Sequence, residues 1–455
     1  MKSTSLLGHT FELFDTVERD RLPADQVVDR FFRARRYLGS TDRRFIAEAV
    51  YGMLRHRLLI HTLFQSGLQE LNGHSTSANL RSSLGLYFAY LLAVEKKEVG
   101  VVTETLGSYW KVHFPSVPME RLAESLLRHY DLDLVSGSAS DRLSLMYSFP
   151  KWMVEEWLAR LGESETTALC TALNTPAPTT IRVNTLKTSV EECQKRLLQE
   201  GVTTERTKLS PFGLSLAKRV NVPSLQSFKD GWFEVQDEAS QIVTLLLDPQ
   251  PGGIVIDACA GGGGKTIELA ALMKNDGKIL AFDVEARRLR NLEKRAERAG
   301  VQGLKVQLVG KGFAEEEDDG LPTGQAGATK ADAILIDAPC SGLGTLRRNP
   351  GNKWRVLPAF VEHISQQQGK LLDQWSPLLR PGGRLVYSTC TLLRKENEEV
   401  VESFLARHAE FKLGSSSRIL SRWRLEHLSK NGYLYLYPHQ HGTDGFFAAV
   451  LRRDS

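Results

Sequence analysis

Apolar residues recur at three- and four-residue spacing from about residue 7 to 130, in stretches such as Phe45-Ile46-Ala47-Glu48-Ala49-Val50-Tyr51 and Leu84-Gly85-Leu86-Tyr87-Phe88-Ala89-Tyr90-Leu91-Leu92. That is the period of helices burying one face, and it predicts an all-helical region. The texture changes around Ser148-Phe149-Pro150-Lys151-Trp152, where a proline precedes an amphipathic helix over 153–161, so a boundary falls near 140. Residues 150–240 mix a helix at 190–200 with strand-like runs at 180–184 and 232–235, which predicts a small α+β module. From Gly252 onward, short apolar runs at 254–257, 279–283, 304–309, 333–337 and 384–388 alternate with helical patterns. This alternation predicts a doubly wound, mostly parallel sheet. Runs at 433–437 and 446–451, joined by a Pro/Gly/His-rich turn, add a terminal antiparallel pair. The stretch 315–329, acidic and then rich in Gly, Pro, Thr and Ala, reads as a surface loop without chemistry.

With 455 residues, 42% hydrophobic and 25% charged, the chain suits a soluble globular protein of roughly three domains. Its five cysteines are odd in number and form no C-x-x-C pair, which argues against a disulfide framework or zinc ribbon and for a reducing cytosol. No metal is expected. The N-terminus meets His9, Glu12 and Asp15 too early for a secretory leader, and no run reaches the roughly 18 apolar residues of a membrane span. A cytoplasmic location without membrane contact is expected. The net charge of +4 does not establish a nucleic-acid partner, but eight arginines between 30 and 57 (30, 33, 35, 36, 43, 44, 55, 57) face only Asp42 and Glu48 in that window. Such a stripe is either solvated and paired surface or a set of phosphate contacts.

The run Ile256-Asp257-Ala258-Cys259-Ala260-Gly261-Gly262-Gly263-Gly264-Lys265-Thr266 ends like a phosphate-binding P-loop, but Cys259 stands where that loop needs its first glycine. The dinucleotide fingerprint fails too, because Gly261 and Gly263 would require glycine where Thr266 sits. What remains is a strand ending in an acid, a tight glycine turn and a helix start that offers amides to an anionic group. Asp283 lies 19 positions beyond Gly264 (283 − 264), at the end of the next strand, where a carboxylate holds ribose hydroxyls or caps the following helix. The combination suits a nucleoside cofactor lacking a polyphosphate, S-adenosylmethionine being the natural candidate.

Two cysteines, Cys340 and Cys390, follow apolar runs and lie on the carboxyl rim where open α/β sheets bind ligands. A thiolate adding to carbon 6 of cytosine turns carbon 5 into a nucleophile, which alkylation at that carbon requires. Asp337, three residues before Cys340, is placed to pair with the cytosine edge, and Pro339 bends the chain so that both can face one cleft. Spacing alone leaves either thiol as the nucleophile. Cys170, Cys193 and Cys259 read as packing residues.

At these residues the chain resembles the Nol/Nop/Sun family of RNA cytosine-5 methyltransferases, through Asp337-Ala338-Pro339-Cys340-Ser341-Gly342 and Tyr387-Ser388-Thr389-Cys390-Thr391. Arg182-Val183-Asn184, Val235-Gln236-Asp237-Glu238-Ala239-Ser240, Asp257-Ala258-Cys259-Ala260, Glu396-Asn397-Glu398 and Asp444-Gly445-Phe446-Phe447 agree, so the likeness runs from about residue 148 to the end. The basic N-terminal region, with Arg36-Tyr37-Leu38-Gly39-Ser40-Thr41-Asp42-Arg43 and Tyr51-Gly52-Met53-Leu54-Arg55, is similar to the NusB-like RNA-binding domain of the bacterial Sun-type members, which act on small-subunit ribosomal RNA.

The resemblance implies Cys390 as nucleophile, Cys340 as the group assisting product release, Asp337 as the base-binding acid and Lys265 beside it. It implies a cofactor site of Asp257, Cys259, Ala260, Gly261, Gly262, Gly263, Gly264, Lys265, Asp283, Arg288 and Asp337. Two departures stand out: the family's usual Ala-Ala-Pro-Gly-Gly-Lys is here Ala260-Gly261-Gly262-Gly263-Gly264-Lys265, and Gly310-Lys311-Gly312 replaces a usual adenine-contacting aspartate. Lysine offers no acceptor there, which leaves the role to another carboxylate such as Glu315 to Glu317 or weakens the cofactor's hold.

The expectation is therefore a multidomain protein: an all-α NusB-like domain (1–140), a small α+β domain (148–240) and a Rossmann-like class I methyltransferase domain with a mostly parallel sheet (241–455). It is expected to be monomeric and to methylate carbon 5 of a cytosine in small-subunit ribosomal RNA. A transfer-RNA cytosine-5 methyltransferase and a catalytically weakened RNA-binding or ribosome-assembly factor are the alternatives.

Overall fold

The computed structural model describes residues 3–20, 22–72, 82–133, 137–310 and 330–454, so the loop read at 315–329 and the departure at Lys311 lie outside the described residues. The chain divides into two compact units, residues 1–176 with 346–356, and residues 177–345 with 357–455. Residues 148–176 thus fall in the first unit, and residues 177–240 in the second with the large sheet.

The first unit is helical. Its helices include Ser3–Arg19, Ala24–Ala34, Ser40–Arg55, Arg57–Asn72, Ser83–Ala93 and Lys151–Leu173. Ser83–Ala93 is buried at every residue, as a helix apolar on all sides must be when its neighbours enclose it. A Cβ at Gly85 would lie 2.0 Å from the Phe64 ring, so glycine is what lets these helices touch. Two helix ends receive the segment Leu346–Val356. Lys353 Nζ donates to the Arg55 carbonyl at 2.6 Å and Asn174 Oδ1 at 3.1 Å, and Trp354 Nε1 donates to the Leu54 carbonyl at 3.2 Å. Arg355 donates to the Val17 and Asp20 carbonyls, each at 3.1 Å. Cations and N–H donors thus meet the carbonyls that the last turns of two helices leave unpaired. Lys353 is 1% exposed, and burial pushes its amine well below the usual lysine range.

The second unit begins with a four-stranded antiparallel sheet: β1 (Thr180–Val183), β2 (Thr204–Arg206), β3 (Gly213–Leu216) and β4 (Phe233–Val235), in the order β2-β3-β1-β4. Helix Val190–Gln199 starts at a capping box, Ser189 with Glu192, and buries Val190, Cys193 and Leu197.

The large sheet holds β5 (Ile254–Asp257), β6 (Lys278–Asp283), β7 (Leu304–Leu308), β8 (Ala331–Asp337), β9 (Leu379–Thr389), β10 (Phe411–Leu413), β11 (Ser429–Lys430), β12 (Tyr433–Leu436) and β13 (Phe446–Arg453). Its order is β11-β12-β13-β9-β8-β5-β6-β7, with β10 pairing β13. The strands β7-β6-β5-β8-β9 are parallel, and β13 lies antiparallel to β9 with Phe447 opposite Thr389. The terminal pair is thus part of the main sheet. Six successive buried residues, Phe446 to Leu451, are what a strand covered on both faces demands. From β5 the chain moves outward to β6 and β7, then returns to β8 on the other side of β5. That reversal is the point where doubly wound sheets open a crevice at their carboxyl ends.

Candidate active site

The crevice is a cavity of about 490 Å³. Asp257, Asp283 and Asp337 end β5, β6 and β8, and all three line it. The glycine turn contributes Ala260, Gly261, Gly262, Gly264 and Lys265, with Cys259 before it and Arg288 from the helix Ala286–Ala299. Gly263 faces the other way: its φ is 86°, and an added Cβ would lie 2.1 Å from Leu292 Cδ1. Gly261, at φ 55°, has nothing within 4 Å of where a Cβ would point, so the turn's inner side is open.

Each carboxylate has distinct partners. Asp283 accepts the Gly261 amide at 2.9 Å and the Glu285 amide at 2.8 Å, so it fixes the turn and steers the chain into the next helix, while its remaining lone pairs stay available. Asp257 accepts the Thr266 hydroxyl at 2.7 Å. Burial pushes its carboxyl up to about 7, against that hydrogen bond. Asp337 accepts Lys265 Nζ at 2.7 Å on one oxygen and Ser388 Oγ at 2.9 Å on the other. Burial disfavours the Lys265 ammonium, but the Asp337 carboxylate outweighs it and the amine is raised. Lys265 also lies 5.1 Å from the centre of the Phe446 ring. Arg288 is half exposed and pairs with Glu285 at 2.8 Å.

The two thiols meet, with Cys340 Sγ 3.3 Å from Cys390 Sγ. Only Cys390 lines the cavity. The Cys340 thiol is pushed well above its usual range by its contact with Cys390, by burial and by the charge of Glu396. Burial raises Cys170 and Cys193 to about 12 and Cys259 well above its usual range, three nearby carboxylates adding to the last.

Residues assigned no role from sequence hold the thiols in place. Glu396, fully buried, accepts the Ser341 amide at 2.8 Å, the Ser341 hydroxyl, and Gln368 Nε2 at 3.1 Å. Asn397 accepts the Thr389 hydroxyl at 2.5 Å and donates to the Thr391 carbonyl at 3.1 Å. The Ser341 and Thr391 hydroxyls pair at 2.8 Å, and the Gly344 amide donates to the Cys390 carbonyl at 2.9 Å. The loops after β8 and β9 are therefore joined on both sides of the sulfur contact. The forewarning in sequence is that Glu396-Asn397-Glu398 is among the segments that carry the family resemblance and follows Cys390 closely.

The arginine stripe resolves unevenly. Arg30, Arg33, Arg35 and Arg57 pair with Asp20, Asp29, Glu12 and Glu18. Arg43 and Arg55 donate to backbone carbonyls, of Leu38 and Arg347. Arg36 and Arg44 are exposed and make no ion pair among the described residues.

A doubly wound sheet whose crevice carries a glycine turn, a carboxylate at the end of the second strand and paired thiols is the arrangement of a nucleoside-cofactor methyltransferase. A family profile described as 16S rRNA methyltransferase RsmB/F matches residues 244–452, and one for the ferredoxin-like domain of RsmF/B-like methyltransferases matches 149–223. The "probable ribosomal RNA small subunit methyltransferase B" of Synechocystis sp. is 32% identical over 97% of this chain and 98% of its own length. Among solved structures, a methyltransferase homologue from Pyrococcus horikoshii is 31% identical, with a TM-score of 0.58, over 70% of this chain and 99% of its own. NSun6 from Pyrococcus horikoshii, solved with SFG, is 25% identical, with a TM-score of 0.58, over 68% of this chain and 99% of its own. The chain belongs to the ribosomal RNA small subunit methyltransferase B family. It is an RNA methyltransferase, and S-adenosylmethionine is its cofactor. No described helix is long and apolar enough to cross a membrane.

Proposed function

We propose that this enzyme methylates carbon 5 of a cytosine in small-subunit ribosomal RNA through a covalent adduct between Cys390 and carbon 6. The observation that carries this reading is the asymmetry of the thiol pair: Cys390 lines the cavity, while Cys340, outside that lining, touches the Cys390 sulfur at 3.3 Å.

The cavity's size and its three carboxylates suit a cationic nucleoside. Asp283 and the turn from Ala260 to Lys265 hold the cofactor, with Asp257 beneath the turn and Arg288 beside it. When bound, S-adenosylmethionine supplies an electrophilic methyl group. Asp337, oriented by Ser388 and Lys265, binds the cytosine edge, and the Lys265 ammonium balances charge that develops on the ring. The Cys390 sulfur adds to carbon 6, and the ring's electron pair moves to carbon 5, which takes the methyl group. Loss of the carbon 5 proton to solvent then restores the carbon 5–carbon 6 double bond and expels Cys390 as a thiolate. Cys340, with a proton to give at 3.3 Å, assists that departure. Arg36 and Arg44, with the exposed Tyr37, offer the helical unit's phosphate contacts.

Incubation of the full chain with methyl-labelled S-adenosylmethionine and unmodified small-subunit ribosomal RNA, followed by nucleoside analysis, is expected to yield 5-methylcytosine. Label found only on ring nitrogens or ribose would reject the mechanism.

A further inference from the structure

Four consecutive glycines, Gly261 to Gly264, form the turn, and glycine gives up more conformational freedom on ordering than any other residue. A turn of this composition needs an external hold to keep one shape. Arg295 supplies a contact of that kind. Its Nη1 donates to the Gly262 carbonyl, while its Nε and Nη2 both donate to Glu234 Oε2, at 3.1 and 2.9 Å. A Cβ at Gly262 would lie 3.1 Å from that Nη1, so the guanidinium occupies space that a side chain would otherwise claim.

The helix Ala286–Ala299 presents both supports one turn apart, Leu292 against Gly263 and Arg295 against Gly262. Glu234, on β4, is 2% exposed and is also bound by Arg298, which makes no contact with the turn. Arg182 adds a weaker hold, Nη2 to the Gly264 carbonyl at 3.4 Å.

We propose that Arg295, anchored by Glu234, is a positioning residue that holds the four-glycine turn in its cofactor-binding shape through the Gly262 carbonyl. The inference rests on the reading that this turn binds S-adenosylmethionine. A planar guanidinium can satisfy a carboxylate and a carbonyl at once, which a single ammonium cannot.

The test compares full-length Arg295→Met and Arg295→Lys with Arg298→Met, which removes the other partner of Glu234 and leaves the turn contact in place. Calorimetry with S-adenosylmethionine and S-adenosylhomocysteine is expected to show binding weakened about ten- to a hundredfold in Arg295→Met and less in Arg295→Lys. Arg298→Met should stay within about threefold of the wild type. The KM for cofactor should rise while kcat at saturating cofactor holds. Amide exchange at Gly261 and Gly263, measured without cofactor, should quicken in Arg295→Met alone, a change that a residue acting only by touching the ligand would not produce. Equal losses in Arg295→Met and Arg298→Met, or unchanged affinity in Arg295→Met, overturn the proposal. Failure of the wild-type chain to bind either compound instead refutes the reading of the turn as the cofactor site.

Discussion

Glu396 is the most demanding test of how the thiols are held. In Glu396→Ala, the Ser341 amide and one Gln368 N–H lose their acceptor inside a buried site. Each unpaired donor costs about 1–3 kcal/mol, so the loop carrying Cys340 loses on the order of 2–6 kcal/mol. Glu396→Gln behaves differently. Its amide oxygen can replace Oε2, and its N–H₂ can donate to Ser341 Oγ, whose proton then turns to Thr391 Oγ1, already 2.8 Å away. The Ser341 amide and the Gln368 N–H keep their acceptor, and the loss falls to about 1 kcal/mol, the difference between a charged and a neutral acceptor. The Ser341 amide reports this locally, without assuming that a two-unit chain unfolds in one step. Its hydrogen exchange should quicken about thirtyfold or more in Glu396→Ala and about fivefold in Glu396→Gln. Equal acceleration in both variants, or none in Glu396→Ala, would show that acceptor geometry is not what fixes the loop.

Cys340→Ala should accumulate a covalent RNA adduct on denaturing gels, whereas Cys390→Ala should lose adduct and product together; the reverse pattern would exchange the two roles. Asp257, raised to about 7 in the fold from 3.8, binds a proton more readily folded than unfolded, so its contribution is full below about pH 4 and is lost as pH rises toward 7. Denaturant titrations across that window should show a fall in stability that Asp257→Asn flattens. Gly263→Ala should impair folding of the cofactor turn, because its Cβ would meet Leu292 at 2.1 Å and its φ of 86° is strained for alanine; thermal melts and cofactor binding both read this, and normal values in both would count against the packing described.

Much of the site was legible because a parallel strand announces itself as an apolar run, and the residue ending the run must lie on the rim. Asp257, Asp283, Asp337 and Cys390 were placed in that way, whereas Cys340, expected to face the same cleft as Asp337, lies outside the cavity lining and meets it through the Cys390 sulfur. What sequence could not supply is partners distant along the chain. Glu234 and Arg295 are 61 positions apart, and Ser341 and Glu396 are 55 apart, separations at which neither period nor motif links two residues. The same blindness inflated the arginine stripe, since the acids that neutralise it, Glu12, Glu18, Asp20 and Asp29, stand just before the window in which charges were counted. The C-terminal strands were recognised as a pair, but an apolar run does not say which strand it will join, so the insertion of β13 beside β9 emerged only in the fold.

The segment Leu346–Val356 bears on how this gene can be divided. Cutting the chain at its helical N-terminus would look like removing an accessory, yet Lys353, Trp354 and Arg355 would be left with every carbonyl acceptor named here on the discarded side. The lysine would lose its buried acceptors, and the tryptophan would become an exposed apolar patch downstream of the loop that carries Cys340. The discarded half would fare no better, with the carboxyl ends of two helices uncovered. A cut near residue 176 thus strands one segment of the first unit, and fusion tags or domain swaps belong at the chain termini rather than at that boundary.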